Sequence, residues 1–236
     1  MFTFSPKNVL RTPYPFVVGE VFEPTMYQKL LEDFPKISDK SLSEASFQGG
    51  RMRIQSGSEE FENLVRSSPA WTEFNNYARS RALVKYFSDL FGAEFQRNMT
   101  NLESMPSRIK LRHKLRNLLG INPFGVDIDL STSGLGYVNR IHSDRERRHL
   151  VMLIFFCDAK EEGMVGGEFV VHELKNYIPT KADRFFDAEQ CTVKQKIRPK
   201  HNTGVAFLNS PKSLHSVSEI IKITGRRKFV YLGLNF

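Results

Sequence analysis

The chain has 236 residues, of which 40% are hydrophobic and 25% are charged, and it carries a formal net charge of +8. This length and composition indicate one ordinary globular domain and exclude a disordered or fibrous chain. The longest apolar run, residues 150–157, is far shorter than the roughly 20 residues that cross a bilayer, so we expect no transmembrane segment. No signal peptide is recognisable, and the protein is expected to be cytoplasmic with Cys157 and Cys191 reduced and buried.

The N-terminal half is predicted to be mostly helical. A strand is expected over residues 15–22, followed by a short helix that ends at Pro35. The polar, Gly- and Ser-rich stretch 38–57 predicts a loop. Helices are expected near 59–66 and over 69–91, and the second of these begins at a proline, ends at Gly92 and has apolar residues at the spacing of a helix face packed on a sheet.

Positive charge is concentrated in residues 107–119, which hold five basic residues and no acidic one. Leucines at positions 111, 115, 118 and 119 predict that this segment is a short basic amphipathic helix. Two interpretations stay open: a solvated basic face over a core contact, or a docking face for an acidic substrate, an anionic lipid surface or a partner. Because the charge is not spread over the chain, we do not expect a nucleic-acid partner.

Short strands dominate the sequence after Gly120. Eight segments of alternating or continuous apolar residues follow, separated by Gly, Asn, Asp or Pro turns and by no helical pattern. This arrangement predicts an antiparallel barrel or jelly roll. We therefore expect a single α+β domain over 1–236, in which residues 1–120 are mostly helical support and substrate region and residues 121–236 form a β-core.

A candidate metal site lies in this β-core. His142 and Asp144 are two residues apart, so on a strand both side chains would point to the same face. His215, between two predicted strands, is a third candidate ligand. Two histidines and one carboxylate on one face of a metal leave open positions, which is the arrangement of non-haem Fe(II) oxygenases. The remaining histidines are predicted to be structural: His113, His149, His172 and His201.

Residues 128–236 resemble the Fe(II)/2-oxoglutarate-dependent dioxygenases, and most closely their prolyl-4-hydroxylase-like branch. Five segments that match this family occur in its order: GYVNRIHSD, RHLVMLIFFCD, GGEFVVHE, NTGVAFLNSPKSLHSV and GRRKFVYLGLNF. The resemblance implies a double-stranded β-helix, the jelly-roll core of cupin-like proteins. It also implies that His142, Asp144 and His215 bind Fe(II), that 2-oxoglutarate chelates this metal, and that O₂ is the second cosubstrate.

The same resemblance implies a basic residue for the distal carboxylate of 2-oxoglutarate. Arg227 suits this role better than Arg226, because it shares its strand face with Phe229 and Tyr231 rather than with another charge. Tyr137 is expected to be a weaker cosubstrate contact. Where the family often has a further tyrosine on the strand after the His-x-Asp motif, this sequence has Phe155, so another group would supply that hydroxyl.

The activity implied by the resemblance is hydroxylation of an unactivated C–H bond, with release of succinate and CO₂. We expect the substrate to be a small metabolite or a sugar or lipid biosynthetic intermediate, and the basic segment hints that it is acidic. One alternative is a protein side chain, such as proline or asparagine, and a second is a non-catalytic jelly-roll binding module. Gly233 stands where relatives that demethylate nucleic acids carry a further arginine, which argues against base repair.

Overall fold

The computed structural model describes residues 1–37, 51–176, 179 and 183–236, with only the backbone of residues 100, 101 and 104. Within these ranges the strands are β1 (Phe16–Glu20), β2 (Arg51–Gln55), β3 (Gly125–Ser133), β4 (Asn139–His142), β5 (Arg148–Phe155), β6 (Phe169–Leu174), β7 (Cys191–Ile197), β8 (Thr203–Leu208), β9 (His215–Val217) and β10 (Arg227–Asn235). The helices are α1 (Pro24–Glu32), α2 (Glu59–Ser67), α3 (Pro69–Ala78), α4 (Arg81–Phe91), α5 (Ala93–Asn98) and α6 (Ser107–Leu118), with 3₁₀ turns at Pro6–Asn8, Met99–Ser104 and Ala188–Gln190.

The strands form two antiparallel sheets. The large sheet has the order β1-β8-β5-β10-β3-β2, and the small sheet has the order β4-β9-β6-β7. All eight strands predicted after Gly120 are present, and the two sheets make the expected double-stranded β-helix core. The α+β fold class is therefore confirmed.

Strand β5 shows why this core contains long apolar runs. Successive side chains on a strand point to opposite faces. Leu150, Met152 and Ile154 join a cluster with the helices, whereas Val151 and Leu153 join a second cluster with residues of both sheets. Because both faces of β5 are covered, its sequence is continuously apolar rather than alternating.

Helices pack against the outer face of the large sheet. Trp71 and Phe74 of α3 and Phe87 of α4 are fully or almost fully buried in the cluster that also contains Leu232 of β10. Aromatic burial on this scale contributes on the order of 2 kcal/mol per side chain. The helical layer thus supports one side of the β-core and leaves the small sheet on the other side.

The predicted helix over 69–91 is wrong in its continuity, because two helices meet at Arg79 and Ser80. The backbone of Ser80 is extended (φ −86°, ψ 163°), and its hydroxyl donates a 2.7 Å hydrogen bond to the Tyr77 carbonyl. Serine competes for backbone groups in this way and therefore favours helix ends over helix interiors. The predicted end at Gly92 is confirmed, since Gly92 has the positive φ of +58°.

Two further sequence predictions are corrected. The loop expected over 38–57 contains β2, an edge strand that pairs with β3, while residues 38–50 lie outside the described residues. The basic segment is helical, as α6, but its leucines do not form the core contact: they are 48–82% exposed, and His113 lies on the buried side instead.

Among the described residues, we find no helix with the length and apolar composition needed to cross a bilayer. Both cysteines are unpaired and buried, as expected.

Candidate metal centre

The three predicted metal ligands come together at one end of the small sheet. His142 is the last residue of β4, and it faces His215, the first residue of β9, across an antiparallel pair. Asp144 follows two residues later in the turn after β4. One ligand atom from each of the three lies within 4.8 Å of the others, and the two imidazole centroids are 4.3 Å apart.

Backbone carbonyls orient both imidazoles. The Nδ1 of His142 lies 2.7 Å from the Arg140 carbonyl oxygen, and the Nδ1 of His215 lies 3.0 Å from that of Ser213. A carbonyl can only accept, so each Nδ1 carries the proton and donates it. Each Nε2 therefore keeps its lone pair, as a metal ligand requires. Burial, and then the neighbouring His142, lower the pKa of His215 to about 4, which keeps this ring neutral at physiological pH.

The donor set fits a divalent cation. The Oδ2 atom of Asp144 is buried without a hydrogen-bond partner and lies 3.7 Å from the Nε2 of His215. A buried, unpartnered carboxylate oxygen is costly unless a cation compensates it. Asn209 holds the turn that carries Asp144, since its Nδ2 donates to the carbonyls of Arg145 (3.0 Å) and Arg148 (3.1 Å).

Arg227 lies in the same cavity, which has a volume of about 730 Å³. Its side chain is fully buried, and its Nε donates a 2.8 Å hydrogen bond to the Gly167 carbonyl. Its two terminal nitrogens are buried without a partner. Its guanidinium carbon lies 5.2 Å from the ring centroid of Phe155 and 4.6 Å from that of Phe229. Two unpartnered terminal NH₂ groups in an apolar setting make Arg227 a strong donor site for a carboxylate.

Gly167 suits the turn that places its carbonyl against Arg227. It has a φ of +76°, and an added Cβ would lie 2.7 Å from the Met164 sulfur and 3.4 Å from the Cδ of Arg227. Only glycine adopts this backbone without strain at such a close approach.

Cys157 ties the end of β5 to the beginning of β10 beside Arg227. Its Sγ accepts a 3.3 Å hydrogen bond from the Lys228 N–H and lies 3.5 Å from the Lys228 carbonyl oxygen. Burial raises the pKa of this thiol to about 11. The thiol is therefore protonated and shielded in the folded protein.

The structure separates the other candidates for the cosubstrate site. Arg226 is exposed and donates through its backbone N–H to Glu162, outside the cavity. Tyr137 is buried and lines the cavity together with Arg227. Phe155 presents its ring to Arg227 and so contributes a π contact where a tyrosine would contribute a hydroxyl.

The four histidines predicted to be structural are not part of the ligand cluster. His149 is buried against Phe124 and Phe95, and burial lowers its pKa to about 3. The Nε2 of His172 contacts the Ser216 hydroxyl at 2.8 Å. His113 packs in the helical layer and His201 contacts Tyr27.

Several cavity residues were missed by sequence reasoning. Arg51 and Arg53 were placed in a loop, and the rim residues Arg140, Arg184 and Phe185 were not singled out. The alternation in RMRIQ, with Met52 and Ile54 buried and the two arginines on the opposite face, was a usable strand signal.

Comparison with known proteins supports the fold. No family model matches the chain, and no curated protein matches it. A double-stranded β-helix is the fold implied by the resemblance, and solved structures share this fold. A Pseudomonas putida prolyl-4-hydroxylase matches with a TM-score of 0.51 and 12% identity, covering 93% of this chain and 91% of that one. A Phytophthora capsici prolyl 4-hydroxylase also scores 0.51, with 13% identity, over 93% of this chain but only 58% of that one.

Proposed function

We propose that the protein is an Fe(II)- and 2-oxoglutarate-dependent oxygenase that hydroxylates a C–H bond of its substrate. The observation that carries this proposal is one cavity that holds both the triad and the buried arginine. The ligand atoms of His142, Asp144 and His215 cluster within 4.8 Å, and Arg227 offers two unpartnered NH₂ groups in the same space.

The triad would hold Fe(II) through two neutral imidazoles and one carboxylate. This set leaves three positions of an octahedral ion free. When bound, the ion would supply sites for 2-oxoglutarate and O₂ and hence the oxidising power for hydroxylation. The chain contributes the fixed tautomers of His142 and His215, through Arg140 and Ser213, and the position of Asp144.

Arg227 would hold the distal carboxylate of 2-oxoglutarate. A guanidinium meets a carboxylate through two parallel charge-assisted hydrogen bonds. Nε is already used by Gly167, which leaves the two terminal nitrogens for the ligand. Phe155 and Phe229 exclude water around this pair, and Tyr137 contributes another wall of the site. A dry environment strengthens the ion pair relative to water.

For the substrate, the support favours the protein side chain over the small metabolite. The two solved structures described above, which share the fold, are prolyl 4-hydroxylases. The cavity rim also carries exposed apolar side chains, Val138 and Phe185, which an extended polypeptide would cover. We therefore propose a hydroxylase of a protein side chain, such as proline, and keep the small metabolite as the second candidate.

An anaerobic titration tests the proposal. Fe(II) followed by 2-oxoglutarate should give a weak visible charge-transfer band, and admission of O₂ should give succinate. The Asp144→Ala variant is the matched control and should show neither. A protein that binds no Fe(II), or that binds Fe(II) but not 2-oxoglutarate, would instead be a binding module that kept the fold.

A further inference from the structure

Positive charge exceeds negative charge around the triad. Seven arginines line the cavity, whereas the carboxylates among its described lining residues are Asp129 and Asp144. Asp144 belongs to the triad, Arg227 to the proposed 2-oxoglutarate site, and Arg148 pairs with Asp127 and Asn235. The other arginines are Arg51, Arg53, Arg140, Arg145 and Arg184, of which Arg140 also lies 3.9 Å from Asp187.

Arg51 and Arg53 form a pair that shares one carboxylate. They stand two residues apart on β2, so both point to the cavity face of the large sheet. Both reach the same oxygen of Asp129, at 3.5 Å and 3.3 Å, and Arg51 also donates to the Ser131 hydroxyl at 2.9 Å. One carboxylate neutralises one of the two charges. Both side chains are more than two-thirds buried, so the remaining charge is poorly screened.

This pair lies next to the proposed 2-oxoglutarate site. The guanidinium carbon of Arg51 is 5.1 Å from the Phe229 centroid, and that of Arg227 is 4.6 Å from the same centroid. In the sheet, Arg51 and Arg227 are both paired with Ser133 of β3, so they occupy one transverse row. An anion held by Arg51 and Arg53 would therefore sit beside the cosubstrate rather than at a distant surface.

The rim adds further cationic groups around an exposed ring. Phe185 is 55% exposed, and the guanidinium carbons of Arg140 and Arg184 lie 5.8 Å and 5.3 Å from its centroid. The Nε of Arg184 is buried without a hydrogen-bond partner. An exposed aromatic ring between arginines suits a chain that carries both apolar and acidic side chains.

We infer that the cavity selects an acidic polypeptide segment, in which a carboxylate or phosphate group near the hydroxylated residue binds Arg51 and Arg53. This inference rests on the proposed function, since it names the substrate of the same site. Nucleic acid fits less well. No residue of the basic helix α6 lines the cavity, so the two basic regions do not form a continuous track for a phosphate backbone.

Fluorescence anisotropy with short labelled peptides tests this inference. The peptides share a central proline and differ only in the flanking residue, which is glutamate, phosphoserine, alanine or lysine. A short single-stranded DNA is the competing probe. The full chain is used with and without Fe(II) and 2-oxoglutarate, without O₂. We expect the glutamate or the phosphoserine peptide to bind at least about tenfold more tightly than the alanine peptide, as charge-assisted hydrogen bonds to two guanidinium groups require. The stronger of the two identifies the source of the anion.

The R51Q/R53Q variant should reduce that preference to about threefold or less. The R66Q/R79Q variant removes the same charge from exposed positions outside the cavity and should keep the preference for the acidic peptide. Because loss of the Ser131 contact could unfold β2, R51K/R53K provides a charged replacement, which should retain part of the preference.

Four outcomes would each overturn the inference. They are equal binding of all peptides, a preference that survives in R51Q/R53Q, failure of every peptide to bind, and binding of the DNA in place of the peptides. Anisotropy needs no turnover, so such a failure leaves the Fe(II) and 2-oxoglutarate titration standing. Conversely, if the protein prefers acidic peptides but binds no Fe(II), the proposed oxygenase function is wrong and the inferred anion subsite stands.

Discussion

Single side chains decide what the triad can bind. The proton positions on His142 and His215 are fixed by the carbonyls of Arg140 and Ser213, which no sequence pattern encodes. The identity of the ligands was predictable, because a His-x-Asp pair and a later histidine can be recognised directly in the amino-acid sequence. Their distances were not, because they depend on the pairing of β4 with β9 across the 72 residues that separate His142 from His215.

Asp144→Ala should separate metal affinity from folding. The substitution removes the carboxylate ligand, so Fe(II) affinity should fall by at least about 100-fold. It also removes a buried oxygen that has no hydrogen-bond donor, so the metal-free variant should unfold at the same temperature as the parent or higher. Anaerobic calorimetry and thermal denaturation measure the two effects. A large loss of metal-free stability would contradict the assignment of Asp144 as a ligand rather than a structural group.

Arg227→Gln should weaken 2-oxoglutarate binding far more than Arg226→Gln. Arg227 is buried with two unpartnered NH₂ groups in the cavity, whereas Arg226 is exposed outside it. Loss of a paired, desolvated guanidinium costs roughly 2–3 kcal/mol, or about 30- to 150-fold in the 2-oxoglutarate requirement. Succinate release at varied 2-oxoglutarate measures this. Equal effects of the two substitutions would remove Arg227 from the cosubstrate site.

At the scale of helices and strands, local sequence patterns predicted most elements but not which other elements they pair with or pack against. Strand β2 was missed because it lies at the end of a polar stretch, although its alternating apolar residues are a strand signal, and its pairing with β3 is visible only in the fold. The break between α3 and α4 depends on one serine in an otherwise helical pattern. In α6 the leucine spacing correctly predicted a helix, but spacing alone could not tell which face the rest of the molecule would cover.

His149 at the beginning of β5 should make the fold sensitive to acid. It packs on Phe95 of α5 and is stacked on Phe124, and burial lowers its pKa to about 3 from the ordinary value near 6.5. The unfolded chain therefore binds this proton first, so stability is full above about pH 6.5 and falls as the pH drops toward 3.

Between pH 6.5 and 5 this single group should cost on the order of 2 kcal/mol. His149→Phe should remove that part of the loss, as measured by urea unfolding at both pH values. His201→Gln is a control at a less buried histidine outside this cluster. If both variants keep the parental pH dependence, His149 is not the group that senses acid.

For the whole molecule, the two-layer core was predictable, but the site it builds was predictable only in part. Continuously apolar strands such as β5 indicate a sheet that is covered on both faces. The helical layer followed from its aromatic spacing. The arginine-rich cavity did not, because its residues come from β2, the turn after β4, the segment before Phe186 and the beginning of β10, and only closure of the two sheets brings these together.

Shielding of Cys157 has a practical consequence. A protonated thiol, fully buried between β5 and the first residues of β10, can meet a modifying reagent only when these strands separate. The rate of Cys157 alkylation in native buffer therefore reports how often the barrel opens beside Arg227. A ligand that closes the cavity should lower this alkylation rate, so the rate reports binding even of a ligand that has no chromophore and undergoes no reaction.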